Sequence, residues 1–136
     1  MKVTVDANIL FSALLKSGAT RKLWFGPEIE LHAPGFLLKE FKKYSGYLKG
    51  KFAGSEEEFQ LLCNKTISQI LFIEDSELLP FLPAAASLIK DPKDWLYLAC
   101  ALKEDTIIWS EDKGFKKQNR VKTLATKEMI KEFGRL

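Results

Sequence analysis

Apolar and β-branched residues gather in short runs, separated by longer stretches in which apolar positions recur every three or four residues. This is the pattern of helices packed around a largely parallel sheet, and it predicts an α/β fold. The short runs predict strands over Lys2–Asp6, Glu30–Ala33, Leu71–Glu74, Thr106–Ser110 and Val121–Leu124. Only the fourth, with Thr106-Ile107-Ile108-Trp109, is apolar enough to be read as central in a sheet covered on both faces. The periodic stretches predict helices over Ala7–Lys16, Arg21–Phe25, Gly35–Lys49, Glu56–Ile70, Leu78–Leu88, Pro92–Lys103 and Thr126–Phe133. The clearest start is Ser55-Glu56-Glu57-Glu58, a capping box, followed by Phe59, Leu62, Cys63, Thr66, Ile67 and Ile70 on one face. Leu79-Pro80-Phe81-Leu82-Pro83 reads equally as a broken helix or a loop, because each proline removes a backbone donor and disfavours helix in its predecessor.

Composition narrows the class. With 136 residues, 46% hydrophobic and 29% charged, the chain suits one globular domain over 1–136, without the repeat of a fibre or the apolar poverty of a disordered chain. Its apolar runs are too short to span a membrane, and the chain enters Val3-Thr4-Val5 without a signal-like segment, so a cytoplasmic location is expected. Cys63 and Cys100 are far apart and lack Cys or His neighbours at metal-binding spacing; they read as buried thiols. A formal charge of +3 is compatible with a polyanionic partner but does not demand one.

The candidate chemistry lies in the carboxylates. Asp6 ends the first predicted strand and precedes a helix, at the carboxyl edge where α/β sheets collect ligand-binding groups. It reads equally well as a helix cap, a role Asn8 could share. Asp112 ends the most apolar strand at the same edge; followed by Gly114, it also reads as a turn residue. With Asp91 as cap and Pro92 opening the next helix, Asp94 falls in the first turn, where the helix dipole favours an ionised carboxylate. Glu40 lies within a helix near Phe36, Leu37 and Tyr44, and needs a partner: either Lys43 three residues on, or a shared cation. Two carboxylates about 5 Å apart at an effective dielectric near 20 repel by roughly 3 kcal/mol, a cost that Mg²⁺ or Mn²⁺ with oxygen ligands relieves.

These four acids, in order and in these surroundings, resemble the stations of the PIN-domain family. Val3-Thr4-Val5-Asp6-Ala7-Asn8 is similar to its opening strand, and Pro34 through Leu38-Lys39-Glu40 to its proline-led helix. Asp91-Pro92-Lys93-Asp94 through Ala101-Leu102 is similar to its Asp-headed helix, and Ile108-Trp109-Ser110-Glu111-Asp112 to its last acidic strand end. The resemblance covers essentially the whole chain. It implies a three-layer α/β/α fold with a five-stranded parallel sheet, and a metal-dependent endoribonuclease site of Asp6, Glu40, Asp94 and Asp112 supported by Asn8 and Ser110. Trp95 departs from the smaller residue common in relatives, which leaves the shape of the groove open.

Such a site hydrolyses phosphodiesters without a Ser, Cys or His nucleophile, and His32, the sole histidine, reads as packed or exposed rather than catalytic. Lys113, Lys116, Lys117 and Arg120 follow Asp112 as candidate phosphate contacts, or as a solvated loop. Lys39, Lys42, Lys43, Lys49 and Lys51 form a second basic stretch, which also suits an ordinary solvated helix face. Tyr44, Tyr47 and Trp95 could stack on splayed bases if exposed, which favours single-stranded RNA. The family includes toxins of toxin–antitoxin pairs, often dimers silenced by a small antitoxin, so an antitoxin protein and a second copy of the chain join RNA among the implied partners. The competing reading is a catalytically silent PIN-like module that binds RNA or protein.

Overall fold

The computed structural model describes residues 1–134. Five parallel strands, β1 (Lys2–Val5), β2 (Glu30–Pro34), β3 (Ile70–Ile73), β4 (Ile107–Trp109) and β5 (Thr123–Leu124), form one sheet in the order β3-β2-β1-β4-β5. Chain connections run outward from β1 to β3, then return past β1 to β4. The carboxyl ends of β1 and β4 therefore flank the point where strand order reverses, the usual crevice of such sheets.

Helices cover both faces, giving three α/β/α layers. They are α1 (Ala7–Leu15), α2 (Ala19–Trp24), α3 (Phe36–Lys51), α4 (Glu56–Ser68), α5 (Asp75–Leu78), α6 (Leu82–Leu88), α7 (Trp95–Glu104) and α8 (Thr126–Phe133). The alternation along β1 and β4 divides the layers. Thr4 turns toward α7, with its hydroxyl 3.6 Å from Cys100 Sγ and 2.6 Å from Thr106 Oγ1. Trp109 turns the other way, its ring 6.2 Å from that of Trp24 in α2, whose indole N–H donates to Thr66 O of α4 at 2.9 Å. Tyr97 through Ala101 are buried in succession, so α7 has no solvent face in its middle turn and lies across β1, β2 and β4 with α5 and α6 against it. Burying a large apolar side chain contributes about 1.5–3 kcal/mol, and Leu98, Ile108 and Trp109 are all fully buried here.

The predicted strands all form, each within a residue or two. The capping box at Ser55 and Glu58 closes in both directions, and Phe59, Cys63 and Thr66 of α4 are buried against α1 and β3. The proline-rich segment is a broken helix: α5 gives way to a 3-10 turn over Leu79–Phe81 and then to α6, with Pro80 and Pro83 each in a first turn, where a missing N–H costs least. The helix predicted from Pro92 begins as a 3-10 turn over Pro92–Asp94, and α-helical geometry starts only at Trp95. A further 3-10 turn over Lys113–Lys117 follows β4. Cys63 and Cys100 are free and buried. No helix among the described residues is long and apolar enough to cross a membrane.

Candidate active site

Four segments bring their acids to the crevice. Asp6 is the residue after β1; Asp112 lies three positions after β4; Glu40 stands in the second turn of α3; Asp94 immediately precedes α7. All four line one open cleft of about 540 Å³. Asn8, Asp91, Lys93, Tyr97, Phe11, Tyr44 and Tyr47 share its walls.

Local chain geometry explains each position. Asp6 caps α1, accepting from Ile9 N at 3.1 Å, while its other oxygen accepts from the Ser110 hydroxyl. Parallel register makes the second bond available: Val5 pairs with Trp109, so the next residues on the two strands, Asp6 and Ser110, emerge side by side. Ser110 Oγ in turn accepts from Asp112 N at 2.9 Å, and Asp112 Oδ1 accepts from Gly114 N at 2.8 Å. Capping and turn roles therefore coexist with a place in the cleft for both aspartates. Glu40 does not pair with Lys43; the phenol of Tyr97, on α7, donates to its Oε1. Lys43 instead lies over the Tyr44 ring, 5.4 Å from its centroid.

The electrostatics record the crowding. Burial pushes Asp6 up to about 6, against the opposing pull of its bonds from Ser110 and Ile9, and the charges of Asp112 and Glu40 push it further. Asp94 is pushed up to about 7, first by burial and then by the negative charges of Asp112, Asp91 and Asp6. Burial and its acidic neighbours thus oppose the ionised form that the helix dipole favours. The cap role belongs to Asp91, which accepts from Lys93 N at 3.1 Å, and no side-chain bond ties Asp94 to the start of α7.

Asp6, Glu40, Asp94 and Asp112 are the oxygen donors here that could hold a hard divalent cation. Gly114 leaves room for it: a Cβ at that position would stand 3.1 Å from Asp112 Oδ1 and 3.5 Å from Asp94 Oδ2. Among the described residues, no three His, Cys, Asp or Glu side chains are already drawn together as a metal-holding group. The oxygens of Asp6, Glu40 and Asp112 accept instead from Ile9, Ser110, Tyr97 and Gly114.

A family model described as PIN domain matches residues 4–133. The chain belongs to the PIN-domain family. Comparison with curated protein sequences gives no match. Among solved structures, a chain in the crystal structure of VapBC2 from Rickettsia felis bound to a DNA fragment from their promoter is similar in fold. The TM-score is 0.65 at 15% identity, covering 92% of this chain and 98% of that one.

The outlying residues of this PIN domain are distributed unevenly. Lys113 and Lys117 line a neighbouring cleft of about 590 Å³ that shares Asp91, Asp94 and Asp112 with the first. Lys116 is paired with Glu128 of α8, and Arg120 lines separate clefts with Lys122, one of them beside Met1 and Thr106 at the opposite, amino edge of the sheet. Trp95 is half-buried and donates to Ile89 O at 2.7 Å. It does not line the acid cleft, unlike Tyr44 and Tyr47. His32 is buried between Glu30, 2.8 Å from Nε2, and Glu104, 3.4 Å from Nδ1, outside the acid cleft. Sequence reading missed Lys93 and Tyr97 as cleft residues. Lys93 was legible beside Asp94, and Tyr97 lies one helical turn from Asp94; its bond to Glu40, 57 residues away, left no local sign.

Proposed function

We propose that this PIN domain is a divalent-metal-dependent endoribonuclease, with Asp6, Glu40, Asp94 and Asp112 as the ligands of Mg²⁺ or Mn²⁺. The observation that carries the reading is the convergence of four carboxylates from four chain segments on one cleft, where two of them are held well above the ordinary carboxylate range. A structural ion pair would supply a cation from the protein, but none of the four acids forms a salt bridge among the described residues.

Asp6, Glu40, Asp94 and Asp112 would hold the divalent cation, which would supply positive charge to polarise a phosphoryl oxygen and lower the pKa of an attacking water. The protein's own groups set the geometry. Ser110 orients Asp6 while anchored by the backbone of Asp112, and Tyr97 orients Glu40. Asn8, exposed at the start of α1, borders the cleft as a supporting polar group. Lys93, Lys113 and Lys117 stand where a phosphate backbone would enter, whereas Lys116 and Arg120 are farther from that path.

RNA cleavage by wild type and by Asp94→Asn, each with Mn²⁺ and with chelator, tests this reading. Cleavage confined to wild type with Mn²⁺ is expected; equal activity in all four samples would overturn it. The absence of a ready-assembled metal group favours a second reading, a PIN module that holds RNA or protein without cutting, and the same four samples distinguish the two.

The family and the fold shared with a chain of VapBC2 support a role as the toxin of a toxin–antitoxin pair with an antitoxin protein as partner; we propose with it a homodimer as its form and the cytoplasm as its site of action. Growth arrest on expression, relieved by Asp6→Asn, is the expected result; unimpaired growth would count against the toxin role.

A further inference from the structure

On α3, Glu40, Tyr44, Tyr47 and Lys51 follow one another at i, i+4, i+7 and i+11, a spacing that stacks them along one helical face. The first three line the acid cleft, so this face leads outward from the carboxylates. Tyr44 is 40% exposed and Tyr47 63% exposed, although both are large aromatic residues. Tyr44 is braced from the core side by Phe11 of α1, edge-on at 5.8 Å between centroids. Each tyrosine carries a lysine over its ring, Lys43 at 5.4 Å from the Tyr44 centroid and Lys51 at 5.6 Å from that of Tyr47.

We infer that Tyr44 and Tyr47 form a base-stacking platform that receives unpaired nucleotides of a single-stranded RNA as its backbone enters the acid cleft. The inference rests on the nuclease reading for its substrate class and adds the subsite. A flat aromatic face flanked by a cation suits a nucleotide, since the ring takes the base and the lysine can turn to the phosphate. A helical protein segment would seek aliphatic pockets, yet the cleft lining contains no Leu, Ile, Val or Met. Because every base presents a π-face, the platform predicts weak sequence preference at these positions.

The test compares a fluorescein-labelled single-stranded RNA with an abasic oligomer of the same length, by fluorescence anisotropy in chelator at low salt. Wild type should bind the base-bearing strand about tenfold more tightly than the abasic one, within the range a stacked base contributes. Tyr44→Ala/Tyr47→Ala should erase that preference, while Tyr44→Phe/Tyr47→Phe, which retains the contact with Phe11, should keep it. Equal preference in wild type and the double alanine variant overturns the platform, and so does a change in molar mass by light scattering with the preference intact, which would mark the face as a protein interface. Cleavage of RNA by wild type with Mn²⁺, run in parallel, separates the two hypotheses. Persistent cleavage with no base preference removes the platform alone, while binding with base preference but no cleavage removes the nuclease reading alone. Neither binding nor cleavage removes both.

Discussion

The Ser110 hydroxyl donates to Oδ2 of Asp6 across the seam where β4 runs beside β1, and Ser110 Oγ itself accepts from the backbone N–H of Asp112. One buried side chain thus couples two acids that are 106 positions apart. Its proton is directed at Asp6 Oδ2, so the bond favours the ionised form of a carboxyl that burial pushes toward neutrality.

Ser110→Ala should therefore lower unfolding stability by about 1–3 kcal/mol at pH 8, the usual cost of removing a donor from a buried charged acceptor. The loss should shrink at pH 5, where Asp6 is largely protonated and no longer demands that donor. Urea unfolding at the two pH values measures it. Equal losses would mean that the hydroxyl does not act on the charge of Asp6.

Asp94 gives the opposite dependence. Its native pKa, about 7, lies above the ordinary 3.8, so between these values the native state binds more protons than the unfolded chain. Stability from this group is complete below about pH 4 and is lost as pH rises through about 7. In chelator, wild type should melt at a lower temperature at pH 8 than at pH 5, and Asp94→Asn should flatten that slope by removing the titrating group. Parallel slopes for the two proteins would contradict it.

How far the sequence disclosed this site depends on the range of the interaction. Asp6 and Asp112 were legible because each ends a short apolar run, and parallel strands bring such ends to one edge. Asp91 as a cap was legible for the same local reason, since Pro92 fixes the next turn. The charge state of Asp94 was not, because it depends first on burial in the folded chain and then on Asp112 and Asp6, whose proximity arises only when β4 pairs with β1. Arg120 shows the limit of nearness in sequence. It follows Asp112 closely in sequence, but the chain runs back through the Lys113–Lys117 turn, and Arg120 ends in clefts apart from the acids. Trp95 was ambiguous until its indole found Ile89 O, a contact set by how α6 ends.

Mn²⁺ should raise the melting temperature, since a ligand that binds only the native state at a hundredfold excess over its Kd stabilises by about 2.7 kcal/mol. The rise should be larger at pH 8 than at pH 5, because a cation competes with the protons that Asp6 and Asp94 retain in the acid range. Differential scanning fluorimetry of wild type and Asp6→Asn provides the comparison. A shift of the same size in both proteins would place the ion elsewhere on the molecule.

Tyr97 offers the sharpest separation of orientation from packing. Its ring is buried edge-on against Phe36, 6.3 Å between centroids, and its hydroxyl donates to Glu40 Oε1. Tyr97→Phe preserves the ring and its packing but frees the carboxylate to sample rotamers directed away from Asp6 and Asp94. Fold stability should change by only about 1 kcal/mol, the net worth of one hydrogen bond. Mn²⁺ affinity should fall by roughly 10–100-fold, as when the hydrogen-bonding support of a metal ligand is removed. Calorimetric titration of both proteins at pH 8 measures the second quantity, and urea unfolding in chelator the first. If Mn²⁺ binds Tyr97→Phe as tightly as wild type while Glu40→Gln weakens it, the phenol does not set the carboxylate's aim. If neither substitution matters, Glu40 itself lies outside the metal's reach.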